Sequence, residues 1–269
     1  MHSFYINGLR IGDTPPVLMG VLNISPESFF TGSYVPNSSI RDTAIKMVSD
    51  GAEILDIGAR STAPGSTSIS VNEEIQRVKE ALIHLEGLDY IVSIDTMYPE
   101  VLESALHFDI CIANDISGLL NPEMQKIIAD ANIPAIIMAT DKVPGDACSF
   151  SDTLDAIEVI LNRAGHCGIE DIILDPGIGK WIPDRTADND WELCRRFGEL
   201  MEYGRPLLAA VSRKSFIGDA TGRAPDNRLA GTLAVTTELI RKGASVIRTH
   251  DIKETKDVIS VAMKLQGET

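Results

Sequence analysis

Short apolar runs recur along the chain at residues 17–22, 53–57, 90–94, 109–113, 135–138, 171–174, 207–211 and 245–248. Each is followed by polar turn residues and then by a longer amphipathic stretch. Near-continuous apolar runs of this length suit strands buried on both faces, as parallel strands are. The longer stretches carry a helical period: Val71, Ile75, Val78, Leu82 and Leu85 form one stripe. Residues 151–167, 191–203, 229–242 and 253–265 read the same way. At the start, FYINGLRI (4–11) sets Asn7-Gly8 between alternating apolar residues, the signal of a two-residue hairpin turn. Strict strand–helix alternation demands right-handed crossovers and a parallel sheet. Repeated eight times within roughly 250 residues of the chain, it predicts an α/β fold, a (β/α)8 TIM barrel. A short N-terminal β-hairpin covers its N-terminal mouth, and the whole of 1–269 reads as a single domain. A doubly wound open sheet is the alternative.

Composition narrows the partners. Among 269 residues, 24 Lys plus Arg face 39 Asp plus Glu, a formal net charge of -15. That balance argues against a broad nucleic-acid surface and leaves room for a small anion held by a few local cations. Cys111, Cys148, Cys167 and Cys194 are widely spaced with no CxxC pair. They read as free thiols of a reducing cytosol, not as a zinc site or a disulfide framework. No apolar run approaches the ~20 residues needed to span a bilayer, and the N-terminus has no signal-peptide core. A soluble, cytoplasmic protein with neither nucleic-acid nor membrane partner is expected.

In such a barrel the chemistry lies at the C-terminal ends of the strands. In order, the runs end in Asn23; Asp56; Asp95-Thr96; Asn114-Asp115; Met138; Asp175; Ser212-Arg213-Lys214-Ser215; and Arg248-Thr249-His250-Asp251. One Asp or Asn after a strand reads as a helix cap, but polar groups at strand end after strand end point to a site. Asp95, Asn114 and Asp175 suit the N–H-rich edge of a flat heterocycle, through paired charge-assisted hydrogen bonds. Lys214, Arg248 and His250, with Asn23 as a neutral partner, suit phosphate or pyrophosphate oxygens. Arg213 reads instead as pointing outward into an ion pair. The longest irregular stretches, 25–39, 59–70, 142–149 and 177–190, all follow predicted strands, where barrel enzymes carry their active-site loops. No Ser/His/Asp or Cys/His set is evident.

These strand ends sit in recognisable strings: MGVLNISPESF (19–29), GAEILDIGARSTAPGS (51–66), VSIDT (92–96), NDISGL (114–119), ILDPGIG (173–179), SRKSFIG (212–218) and IRTHD (247–251). In that order they resemble the dihydropteroate synthase family of pterin-binding enzymes, from Met19 to about Val258. The resemblance implies a transferase of folate biosynthesis. It joins 6-hydroxymethyl-7,8-dihydropterin pyrophosphate to the amine of p-aminobenzoate, with loss of pyrophosphate. It implies that Asp95, Asn114, Met138, Asp175 and Lys214 hold the pterin, with Asp95, Asp175 and Lys214 catalytic. It further implies that Asn23, Arg248 and His250 hold the pyrophosphate and that Asn23 helps to bind Mg2+. Thr62 and Ser212 would line the arylamine side, and a homodimer would form through the late helices.

Departures from the family pattern cluster on the arylamine side. The usual ESTRPG is here Arg60-Ser61-Thr62-Ala63-Pro64-Gly65, the usual Met-His-Met is Met138-Ala139-Thr140, and the usual Phe-Gly-Lys-Thr is Lys180-Trp181-Ile182-Pro183. Arg60, Lys180 and Trp181 are therefore assigned to that side, with Trp181 as the flat contact. Two readings stand: Arg60 and Lys180 compensate for the missing Arg, or they read the extra anion of a larger or phosphorylated arylamine. Two other classes share the pterin pocket. A pterin-dependent methyltransferase domain has no need of the 212–215 stretch or of Arg248 and His250. A non-catalytic pterin-binding protein would bind without turnover.

Overall fold

The computed structural model describes residues 2–27, 31–61 and 66–267. A two-stranded hairpin, β1 (Phe4–Ile6) and β2 (Leu9–Ile11), comes first. Asn7 at φ 46° and Gly8 at φ 85° form its turn, both in the left-handed region that such a tight turn requires. All eight predicted runs then appear as strands: β3 (Val17–Asn23), β4 (Ile54–Gly58), β5 (Ile91–Asp95), β6 (Ile112–Asp115), β7 (Ala135–Met138), β8 (Ile172–Asp175), β9 (Leu208–Ala209) and β10 (Val246–Thr249). They are parallel, in the order β8-β7-β6-β5-β4-β3-β10-β9. A parallel bridge between Leu174 and Leu207, with Leu174 N donating to Pro206 O at 2.8 Å, joins β8 to the start of β9 and closes the ring. Closure rules out the open sheet. Several strands run one residue past their apolar run, onto the polar residue at its end.

Residues two apart along a strand share a face, and this chain uses each face for a different core. Val17 and Met19, Ile54, Ile112, Ile136, Ile173, Leu208 and Val246 pack together inside the barrel, and Phe4, Ile6 and Ile11 of the hairpin plug its lower end. The alternate residues, among them Leu18, Leu22, Leu55, Ile57, Ile94, Ile137, Leu174 and Ile247, face outward into a larger core with the helices. That ring comprises α1 (Ile40–Ser49), α2 (Val71–Leu85), α3 (Pro99–Ala105), α4 (Pro122–Ala131), α5 (Phe150–Cys167), α6 (Ala187–Arg196), α7 (Ser215–Thr221), α8 (Leu229–Arg241) and α9 (Ile252–Gln266).

Two helix readings are corrected. The helix expected at 191–203 begins at Ala187, because Thr186 and Asn189 form a reciprocal capping box, and 197–203 winds as a 3-10 helix. The segment after Lys214, read only as the tail of a strand, forms the short helix α7. The four cysteines are free.

Candidate active site

The period of two that fills the lower barrel with aliphatic side chains delivers the polar ones above them. Ile54 is followed inward by Asp56 and Gly58, Ile112 by Asn114, Ile136 by Met138, Ile173 by Asp175, Ala210 by Ser212, and Val246 by Arg248 and His250. Strand register then aligns them sideways. Asn23, Gly58, Asp95 and Asn114 are successive neighbours at one level, and Met138 lies beside Asp175. At this mouth lies a cavity of about 400 Å³, lined by Asn23, Arg60, Asp95, Lys180, Trp181, Ser212, Lys214, Arg248 and His250, with Ser61, Ser215 and Arg228. Asn114, Met138 and Asp175 are buried and do not line it. Thr62 lies outside the described residues.

Arg248 organises the floor. Its Nε donates to Asp56 Oδ2 at 2.6 Å and its Nη2 to Asp95 Oδ2 at 2.7 Å. Asp56, wholly buried, also accepts from Asn114 Nδ2 at 3.2 Å. One guanidinium thus ties β10 to β4 and to β5, where the predicted heterocycle-facing Asp95 lies. Burial pushes the Asp95 carboxyl up to about 7; Arg248 opposes this, while Asp56, Glu74 and Asp175 reinforce it. Asp175 is likewise raised by burial against the pull of Lys214, and its Oδ1 accepts from Gly177 N at 2.8 Å. Lys214 moves the other way: burial lowers its ammonium to about 8, against the carboxylates of Asp175 and Asp190. Its Nζ donates to Ile178 O and stands 5.3 Å from the centre of the Trp181 ring.

The polypeptide reaches Lys214 through an uncommon turn. Arg213 adopts φ 58°, a left-handed conformation costly for a side chain of this size. Its guanidinium is held by both carboxylate oxygens of Asp251 at 2.7 and 2.9 Å and by Pro225 O and Asp226 O. The expected ion pair exists, but it is buried rather than outward, because the left-handed turn sends Arg213 into the helix layer and Lys214 toward the cavity.

Two predicted cations behave differently from expectation. His250 is not a third positive charge. Burial, with Arg248, Arg213 and Lys214 nearby, holds its imidazole down to about 3. The ring is neutral, with Nδ1 2.9 Å from Ser212 Oγ. Ser212 also accepts from His250 N at 3.2 Å, which ties this residue to the predicted anion side. Arg60 does not reach freely for a ligand. Its Nε donates to the buried Glu74 at 2.5 Å, its Nη1 to Ile69 O at 2.7 Å, and its guanidinium lies over the Tyr98 ring at 4.6 Å. Nη2 alone is left without a partner among the described residues. Lys180 is exposed, and Trp181 Nε1 donates to Gly177 O at 2.9 Å.

Asp56 and Arg228 are the main residues that strand-end reasoning did not assign to the site. Asp56 carried a signal: it lies two before Gly58, on the inward face. Arg228 carried none, since it enters from the start of α8 and is held by Arg223 O and Arg213 O. Asn23 is fixed on both sides, its Nδ2 donating to Ser33 Oγ at 2.8 Å and its Oδ1 accepting from Ser25 N at 3.0 Å. Among the described residues no group of three or more His, Cys, Asp or Glu is placed to hold a metal ion.

The indole of Trp181 packs against Gly145, whose φ is +77°. A Cβ there would fall inside the Trp181 side chain. Gly145→Ala is therefore expected to cost about 1–3 kcal/mol by overpacking. Thermal unfolding should show it as a Tm lowered by roughly 2–4 °C per kcal/mol.

Comparison with known proteins gives a consistent setting. The family model for pterin binding enzymes matches residues 19–250. The dihydropteroate synthase of Escherichia coli (strain K12) is 32% identical over 273 residues, covering 96% of this chain and 95% of that protein. A dihydropteroate synthase from Coxiella burnetii in complex with pteroic acid superposes with a TM-score of 0.88 at 28% identity, over 99% of each chain. One from Xanthomonas albilineans with 4-aminobenzoic acid gives 0.86 at 30%, again over 99% of each.

Proposed function

We propose that this chain, which belongs to the pterin-binding enzyme family, condenses 6-hydroxymethyl-7,8-dihydropterin pyrophosphate with p-aminobenzoate or a related arylamine, forming a C–N bond and releasing pyrophosphate. The observation that carries this reading is the Arg248 fork on Asp56 and Asp95, set in a cavity with Lys214. The relatives support it: their structures hold pteroic acid and 4-aminobenzoic acid.

The chemistry follows from these groups. Asp95, which lines the cavity, offers acceptors to the N–H edge of the pterin ring, and the buried Asn114 and Asp175 would join it where the ring enters more deeply than the open cavity. As that edge takes over Asp95, Nη2 of Arg248 is freed toward the pyrophosphate. The C–O electron pair leaves with the pyrophosphate, where Arg248 and Lys214 neutralise the growing charge and the neutral His250 ring can donate an N–H. The positive charge left on the pterin methylene spreads into the ring, and Asp95, once ionised, favours it. The arylamine nitrogen lone pair then forms the C–N bond, and its surplus proton passes to the released pyrophosphate or to water. An aromatic amine needs no strong base for this step.

Mg2+ supplies further neutralisation of the pyrophosphate when bound. Asn23 is the ligand that fits: its amide oxygen accepts one bond from Ser25 N and keeps a second lone pair. A single hard oxygen suits a metal that takes its other ligands from phosphate and water. We also assign a homodimer to this chain. Its support is a second cavity of about 400 Å³ between α6, α7 and α8, largely apolar and lined by Trp191, Ile217, Val235 and Leu239. No helix among the described residues is long and apolar enough to cross a membrane. The free cysteines fit a cytoplasmic location.

For the second substrate, the anchoring of Arg60 by Glu74 removes one of the two cations expected to read an extra anion, which favours p-aminobenzoate. Pyrophosphate release measured with p-aminobenzoate and with phosphorylated arylamines decides the matter. Efficient turnover of p-aminobenzoate with little of the phosphorylated compounds is expected. The reverse preference would return the anion-reading role to Lys180.

A further inference from the structure

The loop between β8 and α6 carries Lys180 and Trp181, and it is closed by an ion pair more deeply buried than any charge lining the cavity. Arg185 and Asp190 are each 1% exposed. Arg185 Nε donates to Asp190 Oδ1 at 2.9 Å, and Gly179 N donates to the same oxygen at 2.8 Å. Arg185 Nη1 donates to Ala147 O, in the loop that follows β7. The pair therefore joins the beginning of its own loop to the first turn of α6, and both to the neighbouring loop.

What lies between these anchors faces the cavity. Gly179, Lys180 and Trp181 line it, whereas Arg185 and Asp190 do not. The Trp181 side chain rests on Gly145, in the same neighbouring loop that Arg185 holds, and Lys214 Nζ stands 5.3 Å from its ring centre. Stability alone does not account for such a pair. Arg185 Nη2 and Asp190 Oδ2 are buried with no partner among the described residues. A half-satisfied buried ion pair is usually no better than apolar packing of the same volume. Its distinctive contribution is the geometry it enforces on the backbone it bonds.

We propose that Arg185 and Asp190 are a positioning pair for the arylamine side of the site, holding Gly179, Lys180 and Trp181 against the Gly145 loop and beside Lys214. The proposal rests on the functional reading above, and its test separates the two. The test variant is Arg185→Met/Asp190→Leu, in which apolar side chains replace the pair and the fold is retained. A Trp191→Phe background leaves Trp181 as the single indole, because the chain has two tryptophans. Two quantities are read: acrylamide quenching of Trp181, which needs no substrate, and the KM for each substrate.

Quenching should rise in the variant. The KM for p-aminobenzoate should rise roughly tenfold while that for the pterin pyrophosphate stays within about twofold, as expected when one substrate's contact surface is displaced. Arg185→Lys, which keeps the charge but not both bonds, should show a smaller split of the same kind and serves if the double variant does not fold. Unchanged quenching overturns the proposal, as do two KM values that move together or not at all. Turnover by the wild-type enzyme judges the functional reading separately. If it turns over no arylamine, that reading falls, and with it the second-substrate role, while quenching still decides whether the pair holds the loop.

Discussion

Replacing Arg248 by Met is expected to destabilise the protein by about 3–5 kcal/mol and to lower kcat/KM for the pterin pyrophosphate by roughly 10³-fold. The reason is the same for both losses. Arg248 is the cation bonded to Asp56, which is wholly buried, and to Asp95 beside it. Without it the buried Asp56 and the half-buried Asp95 carboxyl groups stand close together with no counter-charge. Asp95, already raised by burial and by Asp56, is then held more strongly in its protonated form, which no longer offers the pterin edge a full pair of acceptors. The pyrophosphate meanwhile loses a charge-assisted donor. Urea unfolding and pyrophosphate release measure the two effects. The double variant Asp56→Leu/Arg248→Met separates them, because an apolar pair should recover most of the stability and none of the activity. If single and double variants unfold at the same urea concentration, the stranded carboxylates are not what costs stability.

The pH dependence should be bell-shaped. In the free enzyme, kcat/KM reports the groups that must be ionised before substrate binds. Asp95, raised to about 7, must be a carboxylate, and Lys214, lowered to about 8, must be an ammonium. Activity should climb through about 7, fall through about 8, and drop about tenfold for each unit outside that window. His250, held near 3, stays neutral throughout and sets neither limb. Stability should move against activity on the acid side. The folded-state value of Asp95 lies above its ordinary one, so its contribution is complete below about 4 and is lost as pH rises through about 7. Relative to Asp95→Asn, the wild-type Tm should therefore decline between pH 5 and 8. A flat Tm difference with an unchanged acid limb in Asp95→Asn would assign that limb to another group.

The barrel is legible in the sequence because its strands are buried on both faces and its alternation is strict. Asn7-Gly8 marks the hairpin without help from the rest of the chain. Asn23, Asp95, Lys214 and Arg248, which line the cavity, are legible because each ends a strand or follows one closely; Asn114 and Asp175 stand out by the same rule but lie buried outside the lining. What the linear pattern does not carry is pairing across the fold. Arg60 reads as a free cation until Glu74, 14 positions later, is seen to hold it. His250 reads as a cation until its neighbours Arg248, Arg213 and Lys214 converge on it. Asp56 becomes a site residue only through Arg248, 192 positions away. Helix α7 is missed because its seven residues are too few to show a period, and the start of α6 because its signal is a cap and not an apolar stripe.

On this reading the cavity forms a C–N bond as pyrophosphate departs. The most direct measurement incubates the enzyme with the pterin pyrophosphate, p-aminobenzoate and Mg2+, and quantifies pyrophosphate and the coupled pterin–arylamine product together. One product per pyrophosphate, with both abolished in Arg248→Met, is the predicted result. Pyrophosphate released without coupled product, or neither formed while the pterin still binds, would contradict it.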